Sequence, residues 1–201
     1  MTTSVLVAYA SAYGSTRGVA RAIGDRLERA GLHADVVPSH EVRALASYDA
    51  VVLGSAIHGN AWLSSAAAFV DSHAAALATR PVWLFSVASI GETSSFLGPR
   101  ASRVFRRLRR DSRELAALRS RLRPRDHRYF AGAIERVQWN VVGDLFFRLC
   151  GGSYGDHRDW RDIAAWADGI ARQLRAAEAP SREVVARAGP PGQESRSTSA
   201  P

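Results

Sequence analysis

The residues best suited to chemistry stand near the start of the chain, in the run Ser11, Ala12, Tyr13, Gly14, Ser15 and Thr16. An apolar run, Val5 to Ala10, precedes it. A helical pattern follows, with Val19, Ala20, Ile23 and Leu27 at three- and four-residue spacing. A turn between strand and helix exposes the first N–H groups of the helix, which lack internal acceptors, and the helix dipole adds about half a positive charge there. The hydroxyls of Ser11, Ser15 and Thr16 add donors, and Gly14 lets the backbone curl close to an anion. The run has no Lys, which excludes a nucleoside-triphosphate loop, and a single Gly, which argues against a dinucleotide fingerprint. A monophosphate held by amides and hydroxyls alone suits it. The competing reading is an ordinary Ser/Thr helix cap.

Other chemistry finds less support. The six histidines, at 33, 40, 58, 73, 127 and 157, make no pair at ligand spacing on one helix, so no metal site is expected. No Ser-His-Asp or Cys-His grouping can be assembled, which leaves hydrolase readings without positive support. The lone cysteine, Cys150, excludes an internal disulfide and reads as a buried thiol beside Phe147 and Leu149. All 27 basic residues are Arg, and the formal charge is +8. Between Arg100 and Arg128 stand twelve arginines against Asp111, Glu114 and Asp126, a local charge of +9 that leaves the rest of the chain close to neutral. Such a segment is a solvated helix face, a nucleic-acid footprint, or a dock for anionic lipid or an anionic substrate. Only Phe105 is interleaved as an aromatic and no reading motif is present, so no nucleic-acid partner is expected.

The elements that must position the phosphate run are legible from periodicity. Apolar runs at Val5–Ala10, Ala34–Val37, Ala50–Gly54 and Val82–Val87 read as strands, and Tyr129–Ile134 as a fifth. They are apolar almost throughout, which indicates burial on both faces, and helical stretches separate them as crossovers. The second helix shows Leu63, Ala67, Val70, Ala74 and Leu77. The last, Asp159 to Leu174, turns Trp160, Ile163, Ala167, Ile170 and Leu174 inward. This is an α/β fold, a doubly wound five-stranded parallel sheet with helices on both faces; the order 2-1-3-4-5 is what the family resemblance given below implies. One domain is expected over 1–177. Within it, 98–128 is a basic insertion with a thin stripe of Val104, Leu108, Leu115 and Leu118, and 138–151 an extra helix with Val142, Leu145, Phe146 and Leu149. The tail 178–201 is rich in Pro, Gly, Ser and Ala and reads as disordered. No run spans a bilayer, and the start, Met1-Thr-Thr-Ser-Val-Leu-Val, has neither basic leader nor cleavage pattern, so a cytoplasmic protein is expected.

Val7, Ala8, Tyr9, Ala10, Ser11, Gly14, Thr16, Ala20 and Ile23 fill the phosphate-loop pattern of flavodoxins, with only Ala8 smaller than the pattern asks. The chain resembles that superfamily, and the resemblance implies FMN as cofactor. It also implies two ring-holding loops at the carboxyl ends of the third and fourth strands. Here these are Ser55, Ala56, Ile57, His58 and Gly59, and Val87, Ala88, Ser89, Ile90 and Gly91. Gly59 would let the backbone approach the flavin edge. His58 is the one candidate catalytic residue, able to accept a proton or set the flavin potential. Two departures point away from a pure electron shuttle: Ile57 and His58 stand where Trp or Tyr would stack, and the chain is basic where shuttles are acidic.

The carboxyl half is similar to the menaquinone-dependent protoporphyrinogen oxidases of bacteria. The matching residues are Ala131-Gly-Ala-Ile134, then Trp139 to Cys150, Gly151-Gly152 and Asp159-Trp160. This narrower resemblance implies oxidation of a porphyrinogen in heme biosynthesis, with electrons passed to a quinone at the inner face of the cell membrane. The arginines of 100–128 would then meet substrate propionates or anionic lipid. The alternatives are a flavodoxin-type carrier whose partner is a redox protein, and a deazaflavin-binding protein.

Overall fold

The computed structural model describes residues 2–134 and 151–187. Its centre is a parallel sheet of β1 (Ser4–Ala10), β2 (His33–Pro38), β3 (Ala50–His58), β5 (Val82–Ala88) and β6 (Asp126–Ala131). The spatial order is β2-β1-β3-β5-β6. With the short β4 (Ala61–Trp62) set aside as a hairpin return on β3, this is the expected order of five strands. Val7 lies opposite Val36 on one side and Val52 on the other, and Ser55 opposite Ser86.

The sheet buries both faces. On one, α1 (Ser15–Arg29) and α5 (Trp160–Arg187) pack Val19, Ile23, Leu27, Ile163 and Ile170 against Val5, Val7, Val52 and Phe85. Arg26 of α1 closes a bidentate pair with Asp168 of α5 at 2.7 and 2.8 Å. On the other face, α2 (Ser64–Ala78) and α4 (Arg113–Leu122) pack Phe69, Val70, Leu77, Leu115 and Leu118 against Leu6, Leu53 and Leu84. Gly54 sits under the Phe85 ring, where an added Cβ would come within about 2.0 Å of it. Only glycine admits that ring.

Several expectations shift. The third strand does not end at Gly54 but runs to His58, so the expected loop 55–59 is the strand's own end plus a two-residue turn. Gly59 and Asn60 both have positive φ, 57° and 65°, as a tight hairpin between His58 and Ala61 requires. The fifth strand starts at Asp126, three residues earlier than expected; it is an edge strand, where Asp126 and Arg128 cost little. In α2 the buried set is Ala66, Phe69, Val70 and Leu77, because the helix kinks at His73 and Ala67 turns outward. Trp160 is 45 % exposed and lies 4.4 Å from the Arg158 guanidinium.

The insertion splits into α3 (Pro99–Leu108) and α4, and its stripe splits with it. Leu115, Leu118 and Leu122 are buried, while Val104 and Leu108 face outward. The turn at 109–112, with Ser112 capping α4 by accepting from the Leu115 amide, breaks the single helical register the stripe assumed. The last helix continues past Leu174 to Arg187, through the helix-favouring run Arg175 to Ala179, and so takes in part of the tail expected to be disordered. The extra helix expected at 138–151, Cys150 included, falls outside the described residues apart from Gly151.

Candidate functional site

Parallel strands deliver their carboxyl ends to one edge of the sheet, and a cleft of about 210 Å³ opens there. Its lining takes Ser11, Ala12, Tyr13, Ser15 and Thr16 from the turn before α1, Ala56, Ile57 and His58 from the end of β3, and Val87, Ala88 and Ser89 from the end of β5. The remaining expected residues, Gly14, Ser55, Gly59, Ile90 and Gly91, do not line it. Gly14 stands before α1 at φ 87°, a left-handed conformation that suits glycine, and its amide donates to Ser11 Oγ at 3.0 Å. Ser55 is buried; its hydroxyl accepts from the Leu63 amide and donates to the Ala56 carbonyl, so it ties β3 to α2 rather than facing the cleft. Gly91 is buried against the β6 backbone, where a Cβ would stand 2.3 Å from the Ala131 nitrogen. Gly59 and Ile90 line a different, larger cavity.

The hydroxyls differ in what they have left to give. Ser11 Oγ accepts from the Gly14 amide and Ser15 Oγ accepts from the Ala133 amide at 2.8 Å, so each keeps its own hydrogen to donate. Thr16 Oγ1 is buried, 1 % of the residue being exposed, and has no hydrogen-bond partner among the described residues. A buried hydroxyl without a partner is costly, roughly 1–3 kcal/mol, and an anionic oxygen in the turn would supply one. Three cleft residues escaped the sequence reading: Phe96, Gly132 and Ala133. Gly132 follows β6 directly, and a Cβ there would come 2.8 Å from Ser15 Oγ and 3.0 Å from Val87 Cγ1. The signal was present, a glycine at the carboxyl end of the fifth strand.

Beside the cleft, sharing Ile57, Ala88 and Ser89 with it, lies a cavity of about 560 Å³. Phe105, Leu108, Arg109 and Arg110 of the insertion wall it, together with Gly59, Asn60, Ile90 and Tyr129. Two arginines bind the insertion to the β5 loop. Arg106 donates to the carbonyls of Gly91 (2.7 Å) and Ser94 (3.1 Å). Arg109 donates to the Ile90 carbonyl (3.3 Å), pairs with Glu92 (2.7 Å) and stacks 3.8 Å above the Tyr129 ring.

Tyr129 forms the floor of this cavity and donates to Asp111, which also pairs with Arg119. Burial, then the Asp111 hydrogen bond, pushes the Tyr129 phenol up. Burial alone would raise the Asp111 carboxyl, but the hydrogen bonds from Tyr129 and Arg119 outweigh it and hold the carboxyl below its ordinary value. Neither group titrates near neutrality, so the pair fixes the cavity floor and does not trade protons. Deeper still, Trp62 Nε1 donates to Ser86 Oγ (2.8 Å), which meets His127 Nε2 at 2.9 Å. Burial, then the nearby Arg119 charge, lowers the His127 pKa to about 4, so the ring is neutral.

A family model for the flavodoxin domain matches residues 6–148. Among solved structures, the chain is similar to oxidised flavodoxin 2 from Bacillus cereus, with TM-score 0.55 and 18 % identity over 85 % of this chain and 99 % of that one. It is also similar to a flavodoxin from the domain Archaea, with TM-score 0.52 and 15 % identity over 86 % and 99 %. The rubredoxin oxygen:oxidoreductase from Desulfovibrio gigas gives TM-score 0.56 and 17 % identity over 87 % of this chain, which spans only 37 % of that protein. No curated protein matches the sequence. FMN is the cofactor this family implies, and the residues fit it. The orphaned Thr16 hydroxyl, with Ser11, Ser15 and the α1 amides, suits a monophosphate, and the small and apolar walls Ile57, Ala88 and Gly132 leave room for a flat ring. With its strand order, its cleft at the strand ends and a match over most of its length, the chain belongs to the flavodoxin-domain family.

Proposed function

We propose that this protein is an FMN-dependent oxidoreductase that takes hydrogen from a porphyrinogen and passes the electrons to a quinone at the inner face of the cell membrane. The observation that carries this reading is the second cavity. A pure carrier needs only the flavin and an edge to dock, whereas here an insertion of about 30 residues builds a chamber of about 560 Å³ that adjoins the cofactor cleft and shares three residues with it. Its apolar walls, Ile57, Ile90, Phe105 and Leu108, suit a flat apolar body, and Arg110 on its lining suits a carboxylate.

When bound, FMN would supply two-electron acceptance and return of those electrons to an acceptor. The chain would hold the phosphate through Thr16, Ser11 and Ser15, fix the β5 loop through Arg106 and Arg109, and offer His58, exposed on the cleft, as the group that can take up a proton. The test is anaerobic turnover of protoporphyrinogen IX by purified FMN-loaded protein with and without a menaquinone analogue. Porphyrin fluorescence should rise only when quinone is supplied. A protein that holds FMN and cycles electrons with a flavodoxin reductase, yet leaves porphyrinogen untouched, would establish the carrier reading. The absorption spectrum of cofactor extracted from the purified chain separates FMN from a deazaflavin.

A further inference from the structure

The outer face of α3 is apolar and basic at once, and neither the sheet nor the cleft accounts for it. Val104, Phe105 and Leu108 are 53 %, 43 % and 68 % exposed. The inner side of the same helix is settled: Ser102 is buried, and Arg106 is turned into the β5 loop. Val104 and Leu108 lie one turn apart on the outer side. Arg100 lies one turn before Val104, and Arg107 one turn after it. Arg100, Arg103 and Arg107 are exposed, Arg110 follows just past the helix, and Pro99–Leu108 contains no acidic residue. Among the described residues these four guanidiniums have no hydrogen-bond or ion-pair partner, unlike Arg106 and Arg109.

An apolar ridge bordered by unpaired cations calls for a surface that is greasy at one depth and anionic a few ångströms above it. A bilayer of anionic phospholipid has that layering. We propose that α3 is an interfacial helix that seats the protein on such a bilayer, with Val104, Phe105 and Leu108 entering the acyl boundary and Arg100, Arg103 and Arg107 pairing with headgroup phosphates. The proposal deepens the reading given above, on which its purpose rests. Phe105 and Leu108 also wall the larger cavity, so a seated α3 turns that cavity toward the lipid in which an apolar quinone dissolves.

Cosedimentation of the full FMN-loaded chain with vesicles tests it, using phosphatidylcholine alone and phosphatidylcholine with about one third phosphatidylglycerol. Binding is expected to the mixed vesicles only. It should weaken roughly thirtyfold in the double variant R103E/R107E and about tenfold in V104D. The pair R29E/R43E makes the same charge change at exposed positions outside the insertion, and its binding should stay within a fewfold of the parent. Failure to bind mixed vesicles, or equal weakening in the R29E/R43E pair, overturns the proposal. So does sedimentation velocity in which V104D splits a dimer while vesicle binding persists, since α3 would then cover a second copy. FMN titration of each variant is expected to match the parent. Vesicle binding is read without turnover, so its failure leaves the redox reading standing. A chain that binds vesicles but leaves porphyrinogen unoxidised overturns the redox reading alone.

Discussion

The turn before α1 and the arginine-rich insertion both suit anions, by opposite means. The turn carries no cation among Ser11 to Thr16 and relies on amides and hydroxyls fixed by backbone geometry, one of which, Thr16 Oγ1, is buried without a partner. The insertion carries guanidiniums in excess, yet two that reach the β5 loop, Arg106 and Arg109, are already engaged with protein acceptors. Neutral donors held in place suit one small anion of fixed shape, while a field of mobile charges suits a broad or variable one. The count of charges is therefore a poor guide to where the tightest anion sits.

The comparison breaks first at Thr16. Thr16→Val keeps the shape and removes the orphaned donor, and FMN affinity should fall by roughly 10- to 100-fold, the worth of a hydrogen bond to a charged group, in a flavin-fluorescence titration. Unchanged affinity would mean the hydroxyl does not meet the phosphate. Next comes the insertion. The double variant R106A/R109A should leave the phosphate site intact and loosen the β5 loop, so that the Gly91 and Phe96 amides, bonded to Ser94 and Ser89, exchange their hydrogens about tenfold faster. If FMN affinity drops as far as in Thr16→Val while exchange stays slow, the two regions are not separable in this way.

Below the cavity, His127 sets a pH dependence. Its pKa falls from the ordinary 6.5 unfolded to about 4 folded, so between those values the unfolded chain binds the extra proton. Stability is full above about pH 6.5 and is lost as pH falls toward 4. Between pH 7 and pH 5.5 the loss from this group is about 1 kcal/mol, and urea midpoints of His127→Gln should show that much less acid sensitivity than the parent. The smallest effect belongs to Ser11→Ala. Its hydroxyl is shared with the Gly14 amide, and FMN affinity should weaken only about two- to fivefold.

The phosphate turn was legible because its signal is local. An apolar strand, a Gly with hydroxyls and a helix with Val19, Ala20, Ile23 and Leu27 on one face occupy contiguous sequence, and all four of those side chains are buried. The parallel, doubly covered sheet followed from fully apolar strands joined by crossovers, and its strand order from the flavodoxin resemblance. What escaped was non-local or interrupted. The larger cavity needs Phe105 and Tyr129 brought together across two helices and a turn. The stripe Val104, Leu108, Leu115 and Leu118 looked continuous only because the break at 109–112 contains no Gly or Pro to announce it. Gly132 reads in sequence only as part of a strand end, but its value lies in the Ser15 hydroxyl 117 positions earlier, which no spacing rule reaches.

The bonds from Arg106 and Arg109 to the carbonyls of residues 90, 91 and 94 also bear on how such an insertion could be gained or lost. Excising 98–125 would not leave a plain five-strand carrier behind, since the loop after the fourth parallel strand has its carbonyls oriented by side chains from the excised piece. A graft in the other direction meets the mirror problem: the arginine helices moved onto another member of the family would carry donors with no matching acceptors. In this molecule, loop and insertion can be exchanged only together.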